Sequence, residues 1–244
     1  MPLVIHIQET DSTNNYIKKL LSAQQIEEGT IVYTDFQTAG KGQRGNAWEA
    51  ERGMNLTFSI IFYPNTLEAN EQFVISQIVS LAVVDVLNKY TDGISIKWPN
   101  DIYWKERKIC GILIENSLDG DTIKESVCGI GVNINQAIFK SNAPNPVSLK
   151  QITGKDFDLE VMLHDLQQSI LYYYTIMTSG DANAIVARYK ANLFRKDGYH
   201  LFNDGSSDFP ARIKDIESDG MLVLETKERQ EKRYAFKEVR YILT

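Results

Sequence analysis

The sequence predicts an α+β fold, in which a mixed β-sheet packed with helices is followed by a small C-terminal β-barrel. Strand-like and helical segments are interspersed through the first 194 of the 244 residues, which favours a mixed sheet covered by helices. One helical segment is apolar on nearly all sides, which is typical of a helix in the middle of a fold. From about Arg195 the chain changes to short strands separated by polar turns. We therefore divide it into a domain of residues 1–194 and a domain of residues 195–244.

Three strands and two helices are predicted in the first 88 residues. The strands are the β-branched and aromatic segments Leu3–Ile7, Ile31–Gln37 and Leu56–Tyr63. Ser12 and Thr13 supply N-cap oxygens before a helix over residues 13–23, whose apolar residues share one side. The segment Phe73–Asn88 is the helix that is apolar on nearly all sides.

Four more strands of the larger domain, two helices and the C-terminal barrel are predicted in the rest of the chain. The strands of the larger domain are Ile94–Trp98, Ile102–Trp104, Lys108–Asn116 and Ser126–Asn135, and the helices lie near 159–178 and 181–193. The last two strands form an antiparallel pair around Asp119-Gly120-Asp121, and Ser141–Pro146 is a loop. The tail strands are Tyr199–Phe202, Phe209–Ile216, Met221–Glu225 and Lys232–Phe236. Short hairpins of this kind predict a small barrel.

The composition argues against several classes of protein. The chain has 26 Lys and Arg against 32 Asp and Glu, a formal net charge of −6, and no long basic block, which argues against general binding of duplex DNA. We expect neither a signal peptide nor a membrane helix. Cys110, Cys128 and the three scattered histidines lack metal-ligand spacing. We expect the cysteines to be core residues in a reducing cytoplasm.

The most informative segment is glycine-rich and spans residues 37–48. Its glycines are Gly40, Gly42 and Gly45. They form the pattern G-x-G-x-x-G after a strand, which in dinucleotide-binding folds opens a helix. Only seven residues separate the last glycine from Gly53, too few for an amphipathic helix, so a dinucleotide site is not favoured. Glycines interleaved with Lys41 and Arg44 predict either a cationic loop that folds over an anion or a plain solvated turn.

Two further segments combine polar groups with a strand. Lys97 lies between apolar neighbours just before the turn Pro99-Asn100-Asp101, so its ammonium either reaches the surface or enters a pocket as a fixed cation. In residues 129–135, alternating glycines indicate close approach of a ligand or a neighbouring backbone. Asn133 and Asn135 would share a face of that strand, and paired amides suit a neutral polar heterocycle. A β-bulge or a solvated edge strand would explain the same pattern.

Together and in this order, these segments resemble the biotin–protein ligase family, the biotin–[acetyl-CoA-carboxylase] ligases. The matching segments are Ser12-Thr13-Asn14, Gln37 with the Gly40–Gly45 loop and Trp48, Lys97-Trp98-Pro99-Asn100-Asp101, Lys108–Glu115 and Gly129–Asn133. The resemblance covers residues 1 to about 190 and implies a class II synthetase-like catalytic fold, while the tail resembles that family's SH3-like domain. Because the first strand begins at Leu3, the chain resembles the short form without an N-terminal DNA-binding domain.

The resemblance implies an ATP-dependent ligase that uses Mg²⁺. Biotin and ATP give biotinyl-5′-AMP and pyrophosphate, and a lysine of a biotin carboxyl carrier protein then takes the biotinyl group. Lys97 matches the catalytic position, where a fixed cation between the attacking carboxylate and the α-phosphate favours the crowded transition state. Its removal is expected to cost roughly 10²–10³ in rate or more.

The resemblance also implies the binding residues. Those for biotin are Ser12, Thr13, Asn14, Gln37, Gly40, Lys41, Gly42, Gln43, Lys97 and Gly111. Those for the adenylate and ATP are Lys41, Arg44, Trp48, Lys97, Asn133 and, by a loose alignment, Arg240. Trp48 would pack on the adenine and Asn133 would contact its polar edge. Gln43 stands where many relatives have an arginine that helps retain the intermediate, and the Mg²⁺ ligands are not assigned because substrate phosphates would supply most of them.

Three other functions fit parts of the sequence. A lipoate or octanoate ligase or transferase would need an apolar tunnel and gives no reason for the Lys-Trp-Pro-Asn-Asp string. A carrier-binding module without catalysis would not need Lys97 or the cationic loop. A transcription factor that responds to biotinyl-AMP would need a DNA-reading element. We expect a cytoplasmic enzyme that binds neither DNA nor membranes, with a sheet edge that could support a homodimer.

Overall fold

A seven-stranded mixed sheet forms the larger part of the molecule. The computed structural model describes residues 2–42, 46–141 and 143–243. The strands are β1 (Val4–Thr10), β2 (Ile31–Gln37), β3 (Leu56–Phe62), β4 (Ile94–Lys97), β5 (Asp101–Trp104), β6 (Arg107–Asp119) and β7 (Thr122–Val132). Each predicted strand of this domain is confirmed. The largest differences are at β7, which begins at Thr122 and ends at Val132, at β1, which continues to Thr10, and at β6, which continues to Asp119.

The strand order of this sheet is β1-β2-β3-β7-β6-β5-β4. β1 and β2 are parallel, and all other neighbouring strands are antiparallel. β6 and β7 form the predicted hairpin, in which Gly111 lies opposite Gly131 and Leu113 opposite Gly129. The register therefore gathers three glycines in the centre of the sheet, where missing side chains leave room for a site.

In the described residues, five α-helices accompany the two sheets. They are α1 (Thr13–Ala23), α2 (Phe73–Leu87), α3 (Leu149–Thr153), α4 (Leu159–Thr178) and α5 (Ala182–Ala191). α2 is buried along nearly its whole length and contacts α4 and α5, which confirms the prediction of an apolar central helix. Ser12 holds the N-cap position of α1, but its hydroxyl makes no capping hydrogen bond, so the expected cap chemistry is wrong. α3 was not predicted.

The segment Ala69–Leu87 is long and apolar enough to cross a membrane by length and composition alone. However, 67% of its most apolar stretch is buried inside the fold. Burial of this kind is typical of a core helix, because a membrane-spanning segment would expose its apolar side chains to lipid.

A second, antiparallel sheet follows at the C-terminal end. Its strands are β8 (His200–Asn203), β9 (Asp208–Ile216), β10 (Leu222–Thr226), β11 (Glu231–Tyr234) and β12 (Arg240–Tyr241), in the order β11-β10-β9-β8-β12. The change near Arg195 to short strands separated by polar turns therefore coincides with a change of architecture. The C-terminal sheet is consistent with an SH3-like domain. In the described residues β11 and β12 are both outer strands, so the expected closed barrel is an open sheet. The domain boundary at residue 195 stays a prediction.

The two sheets are joined by polar contacts as well as apolar ones. The Trp98 indole Nε1 donates to the carbonyl oxygen of Gly220 at 2.9 Å, and the Trp98 ring meets Phe236 edge-on with centroids 6.2 Å apart. Lys190 of α5 forms an ion pair with Asp215 of β9. Trp98 directly follows β4, so these contacts bring the C-terminal sheet next to the predicted Lys97-Trp98-Pro99-Asn100-Asp101 turn.

Candidate active site

A cavity opens over the glycines of β6 and β7, and we call it the first cavity. Seven of the residues that the sequence predicts for biotin line it. They are Ser12, Thr13, Asn14, Gln37, Lys41, Gly42 and Gly111. Gly40 lies beside it, where a Cβ would stand 2.7 Å from the carbonyl oxygen of Trp48. Gln43 and Arg44 lie outside the described residues.

Neutral polar groups at one side of the first cavity are held by hydrogen bonds. The Gln37 Oε1 atom accepts the backbone N–H of Thr13 at 2.8 Å and lies 3.2 Å from the Thr13 hydroxyl. The Ser59 hydroxyl lies 2.6 Å from Thr13 Oγ1 and 2.5 Å from Asn14 Oδ1. Because Gln37 Oε1 is already occupied, its Nε2 group remains available as a donor. This side of the cavity therefore offers donors and acceptors without a net charge.

The glycines of the central hairpin accommodate side chains from other elements. A Cβ on Gly129 would lie 2.4 Å from Asn14 Oδ1, and a Cβ on Gly131 would lie 2.4 Å from the Trp48 ring. A Cβ on Gly111 would lie 2.9 Å from the same ring. The sequence predicted close approach of a ligand or a backbone at these glycines, whereas the neighbours are the side chains of Asn14 and Trp48.

Backbone hydrogen bonds join the two ends of the glycine-rich loop and position Trp48. The backbone N–H of Gly42 donates to Asn46 at 2.6 Å, and that of Trp48 donates to Gly40 at 2.9 Å. No helix follows in residues 46–53, which confirms that the glycine pattern is not a dinucleotide-binding turn. The Trp48 ring lines the first cavity and also a second, adjoining one.

The second cavity shares Trp48 with the first cavity. Lys97, Asp101, Lys108 and Asn133 are among its lining residues. Two buried polar atoms here have no hydrogen-bond partner among the described residues, namely Trp48 Nε1 and Asn133 Oδ1. The Asn133 Nδ2 group donates to the Val147 carbonyl at 3.2 Å, which fixes its oxygen as the free atom. Buried polar atoms without partners carry a desolvation cost that a ligand with matching groups would remove.

Lys97 enters the second cavity from the end of β4. Its ammonium lies 3.0 Å from the Tyr103 hydroxyl and 4.8 Å from the centre of that ring. It also lies 5.4 Å from the ring of Tyr241 in the C-terminal sheet. Burial lowers the pKa of Lys97 below its ordinary value, and the charge of Asp101 opposes this shift. The side chain is thus half-buried, but it does not line the first cavity, and its catalytic role stays a prediction.

Lys108 is the cation that lines both cavities. Its ammonium pairs with Asp101 at 2.7 Å and lies 5.8 Å from the centre of the Trp48 ring. Lys108 lies in a segment that matches the family, but no role was predicted for it. Strand alternation places residues 108 and 111 on opposite faces, so the sequence pattern did not indicate that the Lys108 side chain would lie beside Gly111.

Two other predicted residues are placed differently from expectation. Arg240 lies on β12 and donates to Asn203 Oδ1 at 3.2 Å, and it lines neither cavity. Asn135 lies beyond the end of β7 and exchanges hydrogen bonds with the backbone of Phe157. It therefore does not form a pair of ligand-facing amides with Asn133, because the strand geometry that would align them ends at Val132.

A family model, the biotin/lipoate A/B protein ligase family, matches residues 6–133, slightly more than half of the chain. The chain belongs to the biotin/lipoate A/B protein ligase family. The match begins in β1 and ends one residue after β7, so it includes the segments that form both cavities except the residues after Asn133.

Named members of this family resemble the chain over most of its length. It is 30% identical over 226 residues to the bifunctional ligase/repressor BirA of Bacillus subtilis, covering 88% of this chain and 67% of that protein. It is 28% identical to the biotin–[acetyl-CoA-carboxylase] ligase of Paracoccus denitrificans, covering 89% and 92%. A biotin protein ligase from Aquifex aeolicus, solved in complex with biotin and ATP, superposes with a TM-score of 0.82 at 24% identity, covering 99% and 100%. This last similarity shows a shared fold.

Proposed function

We propose that this protein is an ATP-dependent biotin–protein ligase. The observation that carries the proposal is the pair of adjoining cavities, whose linings share Trp48 and Lys108. The first offers neutral hydrogen-bonding groups, which suit the uncharged ureido ring of biotin. The second offers a free amide oxygen at Asn133 and two lysines, which suit an adenine ring and phosphates. The named relatives support the same assignment.

The first half-reaction joins two anions. An oxygen of the biotin carboxylate attacks the α-phosphorus of ATP, the bond to the β-phosphate oxygen breaks, and pyrophosphate leaves with biotinyl-5′-AMP remaining. Lys108, between the cavities, would bring positive charge to the point where the carboxylate and the phosphate meet. Lys97 would supply a second, buried cation on the nucleotide side. Fixed cations act most strongly in the crowded transition state, so they favour the reaction more than they favour binding.

The second half-reaction transfers the acyl group. The amine of a carrier-protein lysine attacks the carbonyl carbon of the mixed anhydride, AMP leaves, and an amide remains after loss of a proton. The proposed acceptor is the biotin carboxyl carrier protein domain of a carboxylase. Exclusion of water from the site would protect the anhydride, which would otherwise hydrolyse.

A magnesium ion is proposed to accompany the nucleotide. Within the described residues no group of three potential His, Cys, Asp or Glu ligands occurs. The nearby Asp101 already pairs with Lys108 at 2.7 Å. Phosphate oxygens and water would therefore supply the coordination, as is usual for Mg²⁺ on nucleotides.

Three further properties belong to this proposal. The acidic net charge supports a protein that does not bind DNA, and the buried free thiols of Cys110 and Cys128 support a cytoplasmic location. β1 pairs with β2 alone in the sheet order, which leaves an outer edge suited to a side-by-side homodimer. Sedimentation over a range of concentrations, with and without biotin and ATP, would test the dimer, and a monomer under all conditions would contradict it.

The exchange of pyrophosphate into ATP tests the first half-reaction. We expect exchange with biotin and none above background with lipoate or octanoate, followed by biotin transfer to a carrier domain. Exchange with lipoate or octanoate alone would select that acid as the substrate. Exchange with none of the three acids would overturn the proposal and support a binding module.

A further inference from the structure

The amide of Asn14 is held from two opposite sides at the first cavity. Its Nδ2 group donates to Glu115 Oε2 at 2.7 Å and lies 3.3 Å from the carbonyl oxygen of Leu113. Its Oδ1 atom lies 2.5 Å from the Ser59 hydroxyl. Asn14 is buried, with 3% of its surface exposed, and it lines the cavity.

Hydrogen-bond chemistry permits only one orientation of this amide. A carboxylate and a carbonyl oxygen accept but cannot donate, so the nitrogen of Asn14 must face Glu115 and Leu113. The oxygen must then face Ser59, whose hydroxyl can donate to it. The same oxygen lies directly above Gly129, where any Cβ would clash with it. The cavity is therefore presented with an acceptor at this point.

Glu115 is kept ionised behind Asn14 by a second partner. The Lys18 ammonium donates to Glu115 Oε1 at 2.6 Å. Burial raises the pKa of Glu115, but the hydrogen bonds from Lys18 and Asn14 outweigh burial and leave the pKa below its ordinary value. Glu115 does not line the first cavity, so it acts through Asn14.

We propose that Glu115 is a positioning residue for substrate specificity: it fixes the Asn14 amide so that its oxygen accepts a hydrogen bond from a ring N–H group of the ligand. The inference rests on the proposed function, in which that ligand is biotin. A ureido ring presents N–H groups that match this acceptor. A ring oxygen at the same point would face the amide oxygen, and two acceptors repel each other.

The test compares biotin with its two cyclic-carbamate analogues, in which one or the other ureido N–H is replaced by oxygen. In pyrophosphate exchange we expect the wild-type protein to prefer biotin over one analogue by about 100-fold or more in kcat/KM, because a site built for an N–H group rejects a ligand without it. In Glu115→Gln, an isosteric change, the new side chain can donate or accept, so the 3.3 Å contact with the Leu113 carbonyl is what still holds the Asn14 nitrogen in place. In this variant the preference for biotin over the analogue should fall at least about tenfold. KM for biotin should rise while KM for ATP and kcat stay within about twofold.

Two further variants complete the test. Lys18→Met removes the other partner of Glu115 without touching Asn14, and it should keep the preference of the wild type. Ser59→Ala removes the donor on the opposite side of the amide but leaves Glu115 in contact with the Asn14 nitrogen, so it should keep the preference. Loss of the preference in Ser59→Ala would assign the orientation of Asn14 to Ser59 and overturn the inference, also if Glu115→Gln does not fold by thermal unfolding. An unchanged preference in Glu115→Gln, with both ligands weakened equally, would overturn the inference. Absence of exchange with biotin in the wild type would instead overturn the proposed function.

Discussion

Two lysines approach the nucleotide side of the site, and they are held in different ways. Lys108 is about one-third exposed, with a relative exposure of 31% for its side chain, and pairs with Asp101. Lys97 is more deeply buried, between the rings of Tyr103 and Tyr241. An ammonium paired with a carboxylate can exchange that partner for an incoming anion. An ammonium among aromatic rings has no carboxylate in contact and keeps a stronger field toward the cavity.

Substitution of Lys108 by glutamine should strongly slow the first half-reaction. The variant keeps the length and polarity of the side chain but removes the charge that reaches both cavities. We expect kcat for pyrophosphate exchange to fall by roughly 10²–10³, the usual cost of removing one fixed donor at a developing charge. Lys105→Gln, at a lysine that lies over Trp104 and lines neither cavity, is the matched control. A loss below about fivefold in Lys108→Gln would rule out this role.

The role predicted for Lys97 has a pH signature. Burial lowers its pKa below the ordinary value, so activity that needs the charged form should decline as the pH rises through a value below the ordinary lysine range. The unfolded chain binds more protons than the folded one between the two pKa values, so this group makes stability rise with pH there. Lys97→Arg stays charged and should remove the alkaline decline, while Lys97→Gln should lose roughly 10²-fold or more in rate. A rate profile of Lys97→Arg identical to that of the wild type would contradict the assignment.

Among the elements, the central hairpin supports the side chains that we propose to bind the two substrates. β7 carries Gly129 beneath Asn14 and Gly131 beneath Trp48. Two positions on one strand thus support two different side chains, one for each proposed substrate. Glycine is required here by close approach, since an added Cβ would overlap the neighbouring side chain in both cases.

Alanine at these two glycines should separate the two substrates. Gly129→Ala is expected to displace Asn14 and raise KM for biotin at least about tenfold, with a small effect on ATP. Gly131→Ala is expected to displace Trp48 and raise KM for ATP by a similar factor, with the smaller effect on biotin. Each variant is the control for the other, because both place the same methyl group on the same strand. Equal effects of both variants on both KM values would show that the hairpin only supports the fold.

The secondary-structure predictions were wrong or incomplete at two places, the N-terminus of α1 and the helix α3. Ser12 was expected to cap α1, but it lines the first cavity and makes no capping bond. α3 was missed although Ser148 and Gln151 form a capping box, with Gly154 in the left-handed conformation at its end. That signal was available in the sequence and was masked by the prolines and asparagines just before it.

For the whole molecule, the two-sheet architecture was predictable and the joining of the parts was not. Apolar periodicity predicted the strands and the central helix, because both depend on neighbours along the chain. Lys108 reaches Asp101 through the pairing of β5 with β6, whose register shifts between Ile102 and Tyr103. A register shift between strands follows from long-range packing, which periodicity does not encode. The position of Arg240 also depends on long-range packing, and the loose alignment that placed this residue near the nucleotide did not capture it.

Arg195 connects the two sheets and should control the stability of the molecule as one unit. Its guanidinium donates to the Ile242 carbonyl at 2.7 Å and to Glu106 at 3.0 Å, and only 10% of its side chain is exposed. Arg195→Met should lower the free energy of unfolding by about 2–3 kcal/mol, because it leaves a carbonyl without its charged donor. The matched control Arg233→Met removes an ion pair with Glu217 in which the arginine is 59% exposed, and should cost at most about 1 kcal/mol.

Unfolding curves test whether Arg195 holds the two sheets together or makes only a local contact. All three tryptophans, Trp48, Trp98 and Trp104, precede residue 195, and Trp98 contacts Phe236. Tryptophan fluorescence therefore follows the larger sheet and its contact with the C-terminal sheet, whereas far-ultraviolet circular dichroism follows both sheets. If the sheets unfold together, the two signals coincide in the wild type, and Arg195→Met shifts both to lower denaturant or separates them. Because Tyr241 of β12 contacts Lys97, separation should be accompanied by loss of pyrophosphate exchange. Coincident and unshifted curves in Arg195→Met would show that the sheets are held by their apolar contacts instead.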